Sequence, residues 1–187
     1  VSVIDASECV ALRACPPDIA DLKNPADGSL GMPEADTIRQ VKKSLPAGLP
    51  LSVAIGDAVD DVELYIARAN LAHEAGADIV KVGLFGFDGA RGEELFLSRL
   101  CRGVSVPVVA AWYADRLERP ISGLPELGAR AGARGCLIDS YDKSAGRLTD
   151  YVSLADMEAY IEKCGEFDVF SALAGSLGER DIEGYCA

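Results

Sequence analysis

Three short apolar runs in this sequence each carry a lysine or a carboxylate where a strand buried on both faces would place one. Asp18-Ile19-Ala20-Asp21-Leu22-Lys23 ends in an acid and an amine two residues apart. Ile79-Val80-Lys81-Val82-Gly83-Leu84 is interrupted by a single lysine, and Gly135-Cys136-Leu137-Ile138-Asp139 closes on an acid with Lys143 four residues further on. A buried ammonium must find a partner or lose its proton. Losing it makes a nucleophile: a neutral amine can attack a carbonyl and form a Schiff base. From an ordinary pKa of ~10.4 that requires about 4 kcal/mol of bias toward the neutral form. Burial and a second ammonium nearby both push that way, while an ionised Asp21 pushes back. Asp21 is therefore expected to shuttle protons or to hold an iminium. The same residues also admit a structural reading, in which Lys23–Asp21 and Lys81–Asp139 are buried ion pairs that brace the fold.

Three glycine-rich stretches are weaker signals. Asp27-Gly28-Ser29-Leu30-Gly31, Gly83-Leu84-Phe85-Gly86-Phe87-Asp88-Gly89 and Ala174-Gly175-Ser176-Leu177-Gly178 each follow an apolar run. Backbone amides in such loops can cradle phosphate, and the last lies where barrel enzymes often bind it. Gly86, Gly175 and Ser176 are thus candidate phosphate contacts, and Asp115, just past the fifth run, a candidate contact to a substrate hydroxyl. Neither G-x-x-x-x-G-K-[ST] nor G-x-G-x-x-G occurs, which disfavours nucleotide binding. The single histidine, His73, is expected to serve the carbonyls at a helix end. Trp112-Tyr113 reads as core or site wall. The six cysteines form no C-x-x-C pair and sit mostly among apolar neighbours, so buried free thiols in a reducing compartment are expected and a zinc site is not.

The elements that must position these residues recur as one unit: an amphipathic helix, a glycine stop, then a short apolar run. Leu71-Ala72-His73-Glu74-Ala75-Gly76 leads into the run at 79–84, and the stretch 127–132 leads into the run at 135–139. Further runs lie at 1–3, 18–23, 51–55, 106–113 and 169–174, with helices expected at 33–44, 62–75, 92–102 and 154–163. Alternation of this kind predicts a parallel sheet wrapped by helices, with ligands beyond the carboxyl ends of the strands. Side chains alternate along a strand, so Asp21 and Lys23 should share a face. Seven or eight strands point to a (β/α)8 TIM-type barrel, a single domain over 1–187, although 187 residues is short for that fold.

Charge narrows the partners. A net charge of −12 with no basic stripe excludes nucleic acid as an expected ligand. An anionic small molecule must instead be held by a local cluster of lysines or amides. No run reaches the ~18 apolar residues of a membrane span, and the opening residues show no leader pattern, so a cytoplasmic protein is expected.

The stretch Asp18-Ile-Ala-Asp-Leu-Lys-Asn-Pro-Ala-Asp-Gly-Ser-Leu-Gly31 resembles the signature of the (5-formylfuran-3-yl)methyl phosphate synthase family. Three more stretches are similar in order and spacing: Gly76-Ala-Asp-Ile-Val-Lys-Val-Gly-Leu-Phe-Gly86, Val108-Val-Ala-Ala-Trp-Tyr-Ala-Asp115 and Ala172-Leu-Ala-Gly-Ser176. The segment from Leu137-Ile-Asp139 to Lys143 fits as well. The resemblance implies a (β/α) barrel, no metal or organic cofactor, and condensation of two glyceraldehyde 3-phosphates with loss of phosphate and water. The product would enter methanofuran or methylofuran biosynthesis. It further implies Lys23 as the Schiff-base lysine and Asp21 as its acid/base neighbour. Lys81, Asp139 and Lys143 would assist proton transfer and bind substrate.

One departure stands out. Family members continue through another helix and an eighth strand with a Gly-Arg-Gly turn, whereas 178–187 is too short for both, and the connection at 102–108 is tight. Omitted segments near Arg102 and Ile182 are therefore expected. Two other readings stay open: another class I aldolase-like enzyme of sugar phosphates, and a non-catalytic barrel used as a binding module. Nothing in the sequence decides the oligomeric state, and a homo-oligomer is left open.

Overall fold

The structure, a computed structural model, describes residues 1–59, 61–178 and 181. The chain divides into two compact units: Val1–Gly83 with Arg99–Val108, and Leu84–Ser98 with Val109–Ala187.

The first unit carries strands β1 (Ser2–Val3), β2 (Ala20–Leu22), β3 (Leu51–Ala58) and β4 (Ile79–Leu84). They lie in chain order, and β1 pairs with β2 and β2 with β3 in parallel. Helices α1 (Ala35–Ser44) and α2 (Val62–Glu74) connect them. The expected burial on both faces is found in β3 and β4. Leu51, Val53, Ala54, Ile55, Val80 and Val82 are sealed from water, as are Ile38 and Val41 of α1 and Ala69 and Ala72 of α2. Burying a Leu, Ile or Val side chain contributes about 1.5–3 kcal/mol, so this apolar layer dominates the unit's stability. Tyr65 and Arg68 of α2 donate to the carbonyls of Asp57 and Ile55, at 2.8 and 3.1 Å, and fasten the helix to β3.

The second unit carries β5 (Val108–Tyr113), β6 (Gly135–Asp139) and β7 (Phe170–Leu173), again parallel and in chain order. Every residue of β5 and β6 is buried. Helices α4 (Leu124–Ala131), α5 (Leu148–Tyr151) and α6 (Leu154–Glu166) surround them, and α3 (Gly89–Gly103) opens in this unit. Two large buried polar side chains are paired: Trp112 Nε1 donates to Glu93 at 2.8 Å, and Tyr160 donates to the Cys136 carbonyl at 2.6 Å.

Both predicted glycine stops are left-handed, Gly76 at φ 116° and Gly132 at φ 94°. Each is followed by the same closing bond, Ala77 to the Ala72 carbonyl and Ala133 to the Gly128 carbonyl, both 2.9 Å. His73 Nδ1 lies 3.0 Å from the Ala77 carbonyl, the expected service at a helix end.

Several expectations need correcting. Lys23 follows β2 instead of lying in it, because Asn24 already turns the chain into a 3₁₀ helix at Pro25–Asp27. Cys9, Cys136 and Cys164 are buried free thiols, but Cys15 is exposed in the Pro-rich loop before β2 and Cys101 is half-buried. At Arg102 the chain is continuous in helix: α3 runs to Gly103, and residues 104–107 lead to β5. The expected break at Ile182 and any eighth strand lie outside the described residues, among which seven strands are present.

Candidate active site

The first cluster belongs entirely to the first unit and is built by register. Ser2 of β1 lies opposite Asp21 of β2, which lies opposite Ser52 of β3. Residues opposite one another point to the same face, so three polar side chains form a row across otherwise apolar strands. Ser2 Oγ donates to Asp21 Oδ2 at 3.2 Å. Lys81, from β4, donates to the same oxygen at 2.6 Å, with only 9% of its side chain and 17% of that of Asp21 exposed. Burial alone would push the Asp21 carboxyl up. The Lys81 charge and hydrogen bond, the Ser52 hydroxyl and the Lys23 charge outweigh it and hold Asp21 below the usual carboxylate range.

Lys23 is thus near enough to act on Asp21 electrostatically, and its own backbone N–H donates to the Val3 carbonyl at 3.3 Å. The loop beyond it closes on itself. Asn24 N–H donates to the Gly31 carbonyl at 2.9 Å, and Asn24 Oδ1 accepts from Ala26 at 3.2 Å. Gly31 is obligatory here, since a Cβ would sit 2.2 Å from the Asn24 carbonyl oxygen. The Lys-Asn-Pro…Gly pattern therefore fixes where the chain leaves β2, and with it the root of the Lys23 side chain.

The second cluster belongs to the second unit. Asp139, 1% exposed, ends β6, and its Oδ1 accepts from the Ser140 amide at 2.8 Å. Lys143 Nζ lies 3.7 Å from the same oxygen, on a side chain 41% exposed. The turn after β7 presses against this carboxylate. Gly175 (φ +99°) approaches so closely that a Cβ would lie 2.7 Å from Ser140 N and Oγ and 3.1 Å from Asp139 Oδ1. Ser176 follows at φ 60°, a second left-handed residue in succession. Asp115 accepts from the Tyr141 and Asp142 amides at 2.7 and 3.0 Å, so its carboxylate ties down the loop after β6. Gly86 is exposed in the loop after β4, with φ 76°.

Register thus decides the ion pairs. The structural reading pairs Lys81 with Asp139; instead Lys81 pairs with Asp21, and the lysine beside Asp139 is Lys143.

The sequence matches the family described as 4-HFC-P synthase over residues 1–185. The chain belongs to that family. It is 33% identical over 193 residues to the (5-formylfuran-3-yl)methyl phosphate synthase of Archaeoglobus fulgidus, covering 98% of this chain and 80% of the relative. It is 30% identical over 191 residues to the enzyme of that name from Methanothermobacter thermautotrophicus, with the same coverage. Among solved structures it is similar to QR15, an aldolase, with a TM-score of 0.72 and 11% identity over 99% of this chain and 83% of the other. At that identity the likeness is one of fold alone.

Three features of this family member escape a reading of its sequence. The Ser2–Asp21–Ser52 row needs the register, although one polar residue in each of Val-Ser-Val, Ala-Asp-Leu and Leu-Ser-Val is a usable signal. An aromatic group gathers at the carboxyl ends of β4, β5 and β6. Phe85 stacks on Tyr141 at 4.9 Å and 8°, with Tyr113 edge-on to Tyr141 at 5.3 Å. Arg116 lies over the Tyr141 ring at 5.2 Å. The third is Arg147, tied to the turn after β7.

Proposed function

We propose that the chain condenses two molecules of glyceraldehyde 3-phosphate into (5-formylfuran-3-yl)methyl phosphate, releasing phosphate and water, as a step in furan-coenzyme biosynthesis. The observation that carries the reading is the desolvated Lys81–Asp21 pair beside Lys23. The close pair with Asp21 gives Lys81 the part of a proton donor. That assigns the nucleophile's role to Lys23, rooted at the strand end by the closed loop.

In this mechanism the Lys23 amine attacks the carbonyl of one triose and expels water, giving an iminium. Asp21 and Lys81 relay the proton lost from the adjacent carbon, which makes the enamine. The enamine carbon bonds to the aldehyde carbon of the second triose. Phosphate leaves one triose unit, a hydroxyl closes the ring with loss of water, and hydrolysis returns the free amine. Asp139 and Lys143 assist proton transfer, and Lys143 with the amides of Gly175, Ser176 and Gly86 supplies the positive field that phosphate requires in an acidic chain. Asp115 acts by holding the loop after β6. The scaffold is read as a (β/α)8 barrel, and no resident cofactor is needed for these steps.

The test is to incubate the protein with glyceraldehyde 3-phosphate, follow inorganic phosphate and the furan absorbance, and trap with borohydride before peptide mapping. Furan with a reduced adduct on Lys23 is expected, and Lys23→Ala should lower the rate by at least ~10³-fold. An adduct without phosphate release would instead indicate a simple class I aldolase. Native furan production by Lys23→Ala would refute the mechanism.

A further inference from the structure

Arg147 stands directly before α5, and its backbone neighbour Leu148 donates to the Gly175 carbonyl at 2.9 Å. Its own side chain continues the contact: Nε donates to the Ser176 carbonyl at 3.1 Å, and Nη2 pairs with the Asp181 carboxylate. The same carboxylate oxygen, Oδ2, accepts the Gly178 amide at 2.7 Å. Guanidinium and turn are in direct contact, since a Cβ on Gly178 would lie 3.3 Å from Arg147 Nη2.

One anionic oxygen is thus held by a backbone N–H and a guanidinium N–H together, the donor set that binds a phosphate oxygen. An unfilled donor lies beside Gly175, where this turn begins. Ser140 Oγ is fully buried and has no hydrogen-bond partner among the described residues. It lies 2.7 Å from the position a Gly175 Cβ would take. About half of the Arg147 side chain is exposed, so solute can reach it.

We propose that Arg147, with the Gly178 amide, is the cation that binds a substrate phosphate at the turn after β7, and that the Asp181 carboxylate occupies that anion position in the absence of substrate. The proposal rests on the reading that this turn receives phosphate. A phosphate carries more charge than a carboxylate and offers three oxygens to the same donors, so it displaces Asp181 and frees it to swing away.

The experiment compares the wild-type protein with Arg147→Ala, Arg147→Lys and Asp181→Ala. Binding of inorganic phosphate is measured by calorimetry, and KM and kcat are measured with glyceraldehyde 3-phosphate. Arg147→Ala should weaken phosphate binding and raise KM by at least about tenfold with little change in kcat, the pattern of lost ground-state binding. Arg147→Lys should recover part of the loss. Asp181→Ala, which keeps the arginine and removes its competitor, should tighten phosphate binding. Unchanged phosphate affinity in a folded Arg147→Ala protein would overturn the proposal. So would weaker binding in Asp181→Ala, because the pair would then be a brace of the turn. Calorimetry with inorganic phosphate needs no turnover, so a wild-type protein that bound phosphate through Arg147 but made no furan would refute the proposed reaction alone.

Discussion

Asp21 and Asp139 are the same residue type near the carboxyl end of a buried parallel strand, yet their charges are handled in opposite ways. Asp21 is met by Lys81, sixty residues away in the chain, at 2.6 Å and largely out of water. Asp139 is met by its own neighbours: the next amide at 2.8 Å and, at 3.7 Å, a lysine four residues on in the loop, whose side chain is 41% exposed. The first arrangement is rigid, because both charges are desolvated and neither can leave without stranding the other. The second is adjustable, because a long exposed side chain can turn to a ligand at little cost. Chemistry that needs a fixed proton relay suits the first cluster, and capture of a diffusing anionic substrate suits the second.

That contrast can be broken by experiment. The largest effect should come from Lys81→Met, which leaves a buried carboxylate without its partner. A loss of about 3–5 kcal/mol in urea unfolding is expected, and a loss below ~1 kcal/mol would place the first pair in the same class as the second.

Acid titration should sharpen the comparison next. The Asp21 pKa is lowered in the folded state, so its contribution to stability is complete above its unfolded value of ~3.9 and disappears as pH falls through the lowered folded value. The stability gap between the wild-type protein and Asp21→Asn should therefore narrow as the pH drops below ~4. A gap of constant width down to the acid transition would show that the carboxylate is not the species being stabilised.

The smallest effect on stability should be that of Lys143→Met, within about 1 kcal/mol of wild type because the side chain is so exposed. Furan formation should nevertheless fall in this variant. A large destabilisation instead would make Lys143 a structural partner of Asp139 and end the distinction between the two regions.

Much of this arrangement is legible in the residues themselves. Glycine stops followed by apolar runs locate both left-handed helix ends, and the strands that follow start where expected. Lysine and aspartate inside apolar runs single out Lys81, Asp21 and Asp139, because a buried charge must find a partner. Boundaries are less exact: β2 ends one residue before Lys23, and β3 runs to Ala58. The 3₁₀ helix at Glu8–Arg13 leaves no readable signal, since Glu-Cys-Val-Ala-Leu-Arg is too short to show a helical period.

The sequence by itself determined which residues could do chemistry and which face of each element they occupy, because alternation along a strand and the conformational demands of glycine are local properties. Only the tertiary structure decided who meets whom. Register across β1, β2 and β3 made one polar row of Ser2, Asp21 and Ser52, and the position of β4 gave Asp21 its lysine. The close approach of Gly175 to Ser140, and of Arg147 to Ser176, likewise joins residues some thirty positions apart. Such pairings depend on how whole elements stack to bury apolar surface, a non-directional demand that no short stretch of sequence encodes.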